Sequence, residues 1–223
     1  LVSQLVSCGG VTESAGVARV GAQEPLGLEL LNAERVRCGF AALRQSDALD
    51  RAARAHARWG VLNGQLSHTE DASKYPREFT GVQVADRVRV QAYPMGIDAV
   101  REVYAAFVNL PDAWGLGTSA VRLLLNAPYH QIYLTGAYRD LGVSVQRPVD
   151  VGLGSGMDMV VMEMAHTASE GPQDLAHDAV ATYPCEGSTG LVYSLSHETP
   201  NPVPGRNLAV SPLGVSVVIR VRQ

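Results

Sequence analysis

Apolar and polar positions follow a helical period in the first part of this chain and form strand-like runs in the last part. The clearest helix is predicted over residues 46–63, where Ser46 is a suitable N-cap. Its small or apolar positions share one face: Leu49, Ala52, Ala53, His56 and Gly60. Because alanines make this face thin, we expect a neighbouring element to pack closely on it, with His56 as a buried, hydrogen-bonded packing residue.

Shorter helices are predicted over residues 25–38, from a capping box at 80–83 to about Val90, and over 120–126. Residues 98–107 leave helix and strand both open, because their alanines favour a helix while their valines and Tyr104 suit a strand.

Strands are predicted after residue 130, at 141–146, 157–165 and 213–221, where β-branched or Met-rich runs are bounded by Gly and Pro. Residues 174–212 indicate loops and extended backbone. Helices first and strands later favour an α+β fold in which helices flank a largely antiparallel sheet.

Composition allows one large domain with a substantial core. The chain has 223 residues, of which 46% are hydrophobic and 18% charged, and its net charge is −4. No basic stripe is present, which argues against nucleic acid and anionic membrane surfaces as partners. The longest apolar runs, such as 215–221, are too short to span a bilayer, so no transmembrane segment is expected.

The cysteines allow two interpretations. Cys8, Cys38 and Cys185 lack metal-ligand spacing, and in an exported protein they predict one disulfide and one leftover thiol. Residues 5–10 resemble a bacterial lipoprotein cleavage site, in which Cys8 would carry a lipid anchor. The alternative is a disulfide from Cys8 to Cys38, with Cys185 unpaired in a surface loop.

Several segments resemble, in order and spacing, the CAP superfamily (cysteine-rich secretory proteins, antigen 5, pathogenesis-related 1) in its bacterial SCP-like branch. They are Leu31–Arg35 with Cys38-Gly39-Phe40, Leu49–Ala53 with His56-Ala57, Leu66-Ser67-His68, Ala127–His130 and Leu141–Val145. The resemblance implies a three-layer α-β-α sandwich with a small, mainly antiparallel sheet. It also divides the chain into a flexible leader (1–23), a CAP/SCP-like domain (24–170) and a loop-rich C-terminal extension (171–223) that packs on the same domain with a final strand.

The resemblance further implies a cleft that holds two histidines and, in many members, two acidic residues. His68 and His130 occupy the histidine positions, and Glu102 matches one glutamate although its neighbours depart from the family motif. Glu70 could supply another carboxylate near His68. Two imidazoles and a carboxylate can coordinate a divalent metal such as zinc, so His68 and His130 are candidate metal ligands. The other interpretation is a hydrogen-bonded cluster that fixes the loop carrying His68.

Two functions follow as hypotheses. The first is a non-catalytic binding module that needs no cofactor, as a secreted, periplasmic or outer-envelope protein of a bacterium, with a lipid or a protein as ligand. An apolar ligand would need a groove, for which the candidates are Tyr93, Met95, Tyr104 and Phe107. The alternative is a metal-dependent hydrolase that uses His68, His130 and Glu102. No nucleophile elbow or phosphate-binding loop is present, so no catalytic residue is assigned.

Overall fold

A computed structural model describes residues 20–108, 115–191 and 193–222. Five α-helices lie in these ranges: α1 (Val20–Arg37), α2 (Asp47–Asn63), α3 (Val84–Val90), α4 (Leu116–Asn126) and α5 (Pro128–Leu134). The lipoprotein-like motif with Cys8 lies outside the described residues. None of the described helices is long and apolar enough to cross a membrane.

The main sheet has four strands in the order β1-β3-β4-β2, and only the β1–β3 pair is parallel. Its strands are β1 (Arg44–Gln45), β2 (Met95–Phe107), β3 (Asp140–Gln146) and β4 (Asp158–Thr167). A separate antiparallel ribbon joins β5 (Val180–Tyr183) to β6 (Val218–Val221). Strand β2 therefore forms one edge of the main sheet, a position that matters for the site described below.

Helices cover both faces of the main sheet. Alternate residues of β3 and β4, such as Val143 and Met162, pack with α1 and α4 in one core cluster. The intervening β4 residues, such as Val161 and Ala165, pack with α2 and α3 in two smaller clusters. The predicted α+β fold, a three-layer α-β-α sandwich around a mainly antiparallel sheet, is thus confirmed.

Helix α2 lies unusually close to the sheet. A Cβ on Gly142 of β3 would lie 2.0 Å from the carbonyl carbon of Leu49, and a Cβ on Gly60 would lie 2.4 Å from the sulfur of Met159. All five predicted face residues of α2 are buried, including His56 at 0% exposure. The predicted close packing on this thin face is confirmed.

Several local predictions need correction. Residues 98–107, where helix and strand were both left open, form part of strand β2. The last strand covers only Val218–Val221, and Leu213, its predicted start, instead forms an isolated bridge with Leu195. The capping box of α3 uses Gln83 and Asp86, three residues later than predicted. Helix α5 was not predicted, although Pro128 suits its first turn.

The disulfide prediction is wrong in its partner. Cys38, just after α1, is bonded to Cys185, just after β5, across 147 positions of sequence. Cys185 is therefore neither unpaired nor a free thiol. Because both half-cystines pack against the same core cluster, the bond ties the C-terminal segment to the sandwich.

Candidate functional site

The loop that carries His68 is held in place by buried polar groups. His56 of α2 contacts Glu70 Oε1 through Nδ1 and the Ser67 carbonyl oxygen through Nε2, both at 2.9 Å. Glu70 in turn accepts hydrogen bonds from the backbone N–H (2.7 Å) and the hydroxyl (3.0 Å) of Thr80. These contacts fix both ends of the loop, so the position of His68 is set by the residues around it.

His68 projects from this loop towards the edge strand β2. Its Nδ1 lies 2.8 Å from Glu102 Oε1, and the second oxygen of Glu102 accepts a hydrogen bond of 2.6 Å from Arg87 Nη2. The His68 ring also packs on Tyr104, with 4.6 Å between ring centroids. The His68 side chain is 52% exposed whereas that of Glu102 is only 2% exposed. A buried carboxylate thus orients an imidazole that remains open to solvent.

Glu102 is held ionised by its neighbours. Its burial would by itself raise its pKa, but the hydrogen bond with His68 and the charges of His56 and Arg87 outweigh that effect. The pKa of Glu102 therefore lies below its ordinary value. The same charge, together with burial as the larger cause, raises the pKa of Tyr104, so that its phenol stays neutral.

A second buried carboxyl group, Glu163 of β4, lies directly across the strand pair from Glu102. The pKa of Glu163 is raised well above its ordinary value, mainly by burial and secondly by the charge of Glu102. Arg87 opposes this shift only partly, since its Nε lies 3.9 Å from Glu163 Oε1. The cluster therefore pairs an ionised Glu102 with a Glu163 that holds its proton more strongly than a free glutamate.

Glu163→Gln is expected to stabilise the protein at neutral pH. A carboxyl group whose pKa is raised on folding contributes stability below its unfolded pKa and loses that contribution as pH rises. The neutral amide does not titrate, so we expect a gain in the free energy of unfolding at pH 7 that shrinks towards pH 4.5. Urea unfolding across this pH range measures it. Glu78→Gln, at an exposed position, is the control, and a Glu163→Gln variant destabilised at every pH would contradict the assignment.

The second histidine, His130, lies in the first turn of α5 and also has a carboxylate partner. Glu198 Oε1 lies 3.2 Å from His130 Nδ1 and accepts a 2.9 Å hydrogen bond from the backbone N–H of Tyr129. Glu198 belongs to the C-terminal segment and is 6% exposed. Sequence reasoning missed it, although Glu198 is the sole residue among Asp, Glu, Lys and Arg between 187 and 205.

Two adjoining cavities, of about 660 and 440 Å³, open along the outer edge of β2. His68, His130 and Thr199 line both of them. The walls of the larger cavity are mostly apolar, with polar groups from the C-terminal segment: Leu66, Tyr104, Leu123, Leu124, Leu195, His197 and Glu198. Two imidazoles that are 62 positions apart in sequence thus share one surface region beside the sheet.

Other sequence-predicted site residues lie elsewhere. Glu102 lines the smaller cavity, but Glu70 is 1% exposed and lies behind the loop, bonded to His56. Of the four aromatic or Met candidates for a groove, Tyr104 lines the larger cavity. The other three pack into the core clusters: Tyr93, Met95 and Phe107.

The arrangement of the candidate donors bears on the metal hypothesis. Within residues 20–108, 115–191 and 193–222, no group of three or more His, Cys, Asp or Glu side chains is arranged to hold one. His68 and His130 each have a carboxylate beside Nδ1, which would leave Nε2 for a ligand, but Arg87 already neutralises Glu102. Three ligands converging on one point, which catalytic zinc requires, are therefore not brought together by these residues.

Comparison with known proteins gives matches among solved structures. An outer surface protein from Borrelia burgdorferi has 17% identity and a TM-score of 0.49, covering 64% of this chain and 91% of its own. An extracellular SCP-domain protein from Bacillus anthracis has 15% identity and a TM-score of 0.47, covering 66% and 41%. A cysteine-rich secretory protein from Staphylococcus aureus has 15% identity and a TM-score of 0.42, covering 68% and 40%.

This chain thus spans about two fifths of the Bacillus and Staphylococcus chains. The Bacillus protein is described as containing an SCP domain and the Staphylococcus protein as a cysteine-rich secretory protein, and both terms belong to the superfamily that the sequence motifs resemble. No family model matches the sequence, and no curated protein does.

Proposed function

We propose that this chain is a non-catalytic binding module whose larger cavity holds a small, mainly apolar molecule. The observation that carries the proposal is a cavity of about 660 Å³ in which eight apolar residues, among them four leucines and Tyr104, share the lining with seven polar residues. That size and lining are typical of small-molecule sites, in which apolar walls supply affinity and a few polar groups fix orientation. A lipid fragment is the class of ligand that suits such walls.

The polar groups of the cavity support binding rather than hydrolysis. Each histidine is oriented by a carboxylate, which suits a fixed hydrogen-bonding group for a ligand and would equally orient a general base, so the nucleophile decides between the two functions. Among the hydroxyls that line the cavity, those of Ser67 and Thr69 hydrogen-bond to each other at 3.1 Å. A hydrolase would need a nucleophile within hydrogen-bond reach of its base.

A secreted or envelope location is part of the proposal. The Cys38–Cys185 disulfide supports it, because such bonds persist in oxidising compartments and are rare in the cytosol. Residues 5–10, which resemble a lipoprotein cleavage site, agree with an exported protein.

Filling the cavity is expected to weaken ligand binding. The probe is N-phenyl-1-naphthylamine, a neutral apolar dye whose fluorescence rises in apolar sites, titrated into the folded chain. Ala106→Trp places an indole on the cavity wall, so we expect its dye affinity to fall at least about tenfold, which corresponds to about 1.4 kcal/mol.

Ala72→Trp is the matched control, because Ala72 is exposed in a turn outside both cavities, and it should bind the dye like the parent chain. Circular dichroism checks that both variants fold. Absence of dye binding by the parent chain, or equal affinity in all three proteins, would overturn the proposed function.

A further inference from the structure

A third cavity, of about 530 Å³, lies on another part of the molecule and shares no lining residue with the two histidine cavities. It is bounded by the end of α1, the turn after α5, residues 173–176 and strand β6. The function proposed above does not involve it.

Three arginines line this cavity, against a single acidic residue. Arg35 comes from α1, Arg220 lies in strand β6 and Arg222 directly follows that strand. Asp174 is the acidic residue. In the part of the chain that the structure describes, none of the three arginines forms an ion pair within 4.0 Å. The cavity therefore carries a net positive charge.

Neutral carbonyl oxygens are the partners of these guanidinium groups. Arg35 is 2% exposed and donates to the carbonyls of Ala41, Leu134 and Gly136 at 2.8, 2.6 and 3.1 Å. Arg220 donates to Ile132 through Nη2, but its buried Nε has no hydrogen-bond partner among the described residues. Arg222 donates through Nη1 to Leu175 at 2.9 Å.

The buried charges also repel each other. Burial, and secondly the charge of Arg220, lower the pKa of Arg35 to about 10. Burial likewise lowers the pKa of Arg220, although Asp174 acts in the opposite direction. Desolvated cations without a counter-charge are costly, and an anion in the cavity would relieve that cost.

Apolar side chains form the rest of the wall. Phe40 is buried, Leu175 is half-buried, and Ile219 and Val221 of β6 remain 67% and 60% exposed. Ile219 and Val221 alternate with Arg220 along β6, so Phe40 and Leu175 are the apolar groups on the side of the arginines. Apolar groups beside arginines suit a molecule with a charged end and an apolar body.

We propose that this cavity binds a small organic oxyanion, with its carboxylate or phosphate group against Arg220 and Arg222 and its apolar body against Phe40 and Leu175. The planar guanidinium presents several N–H donors in a fork that matches the oxygens of either anion. Arg35 donates to three carbonyl oxygens and contributes a further positive charge to the cavity wall.

The test is a calorimetric or NMR titration of the full chain with hexanoate, hexyl phosphate and 1-hexanol, which share one apolar body. At least one of the two anions is expected to bind about tenfold or more tightly than the alcohol, and the tighter anion identifies the group. Its affinity should fall as salt rises. Binding of neither anion, or hexanol binding as tightly, would overturn the proposal.

Arg220→Gln is expected to weaken the anion about tenfold or more and to leave hexanol unchanged. Arg206→Gln is the matched control, because Arg206 also bonds two carbonyls in the C-terminal segment but is exposed outside the cavity. Equal weakening by both variants would refute the assignment.

If Arg220→Gln does not fold, Arg222→Gln replaces it, because the Arg222 side chain is exposed and its loss should not disturb folding. The affinity of Arg222→Gln for the anion should fall several-fold. Ala106→Trp should not alter anion binding, which separates this outcome from that of the histidine cavity.

Discussion

Arg87→Met is expected to lower the free energy of unfolding at pH 7 by about 3–5 kcal/mol, because it leaves buried carboxylates without their cation. The Arg87 side chain is fully buried between α3 and the sheet and bonds Glu102 at 2.6 Å. Its Nε also lies 3.9 Å from oxygens of Glu70 and Glu163. Methionine fills a similar volume, so the loss should report the ion pairs and the hydrogen bonds to the carbonyls of Gly81, Val82 and His68 rather than packing.

Urea unfolding measures this loss, and two variants define it. Arg89→Met lies two positions away but removes an exposed pair with Asp86, so its cost should stay below about 0.5 kcal/mol. The double variant Arg87→Met with Glu102→Gln should recover part of the loss, because the carboxylate left unpaired is removed as well. A cost for Arg87→Met no larger than that of Arg89→Met would show that the cluster does not depend on its cation.

The pH dependence gives the loss a distinct signature. Because the pKa of Glu102 is lowered on folding, its contribution to stability is present above the unfolded pKa and is lost as pH falls through the folded one. Removing Arg87 takes away part of that contribution. The difference in the free energy of unfolding between the parent chain and Arg87→Met should therefore become smaller as pH falls.

The elements that sequence analysis identified are those with local signals. The face of α2 repeats apolar or small residues every three or four positions, and each of the predicted positions is buried. The runs at 141–146 and 157–165 also form strands β3 and β4 nearly as predicted. Periodicity suffices in these cases because a helix face or a strand carries its pattern within one short segment.

Strand β2 shows where local patterns fail. Its inward-facing positions include Glu102, which is charged and yet buried, so the alternation expected of a strand is broken. That carboxylate is tolerated because Arg87 and His68 approach it from other elements. Arg87 and His68 are 15 and 34 positions from Glu102 in sequence, so the pattern of residues within β2 does not indicate either partner.

The site was only partly predictable for the same reason. The motifs around His68 and His130 pointed to both imidazoles, and both line the same cavities. The carboxylate beside His130 comes from Glu198, which lies in a loop without helical or strand periodicity. Loops of this kind acquire their position from tertiary contacts, which periodicity does not encode.

Breaking the Cys38–Cys185 disulfide is expected to lower the free energy of unfolding by about 2–5 kcal/mol. The bond closes a loop of 147 positions, and a long loop loses much chain entropy when it is cross-linked. Cys185→Ser removes the bond, and urea unfolding under non-reducing conditions measures the cost. Glu186→Ser is the matched control, because Glu186 is exposed beside Cys185, and it should leave stability unchanged.

Loosening of the C-terminal segment should accompany this loss, because the disulfide holds the chain shortly before Glu198. The segment has little regular structure, so in Cys185→Ser we expect faster proteolysis between residues 186 and 217 and weaker dye binding at the histidine cavity. Non-reducing peptide mapping of the parent chain should recover Cys38 joined to Cys185. Recovery of Cys8 joined to Cys38, or unchanged proteolysis in Cys185→Ser, would contradict this role, since the cavity wall would then keep its place without the bond.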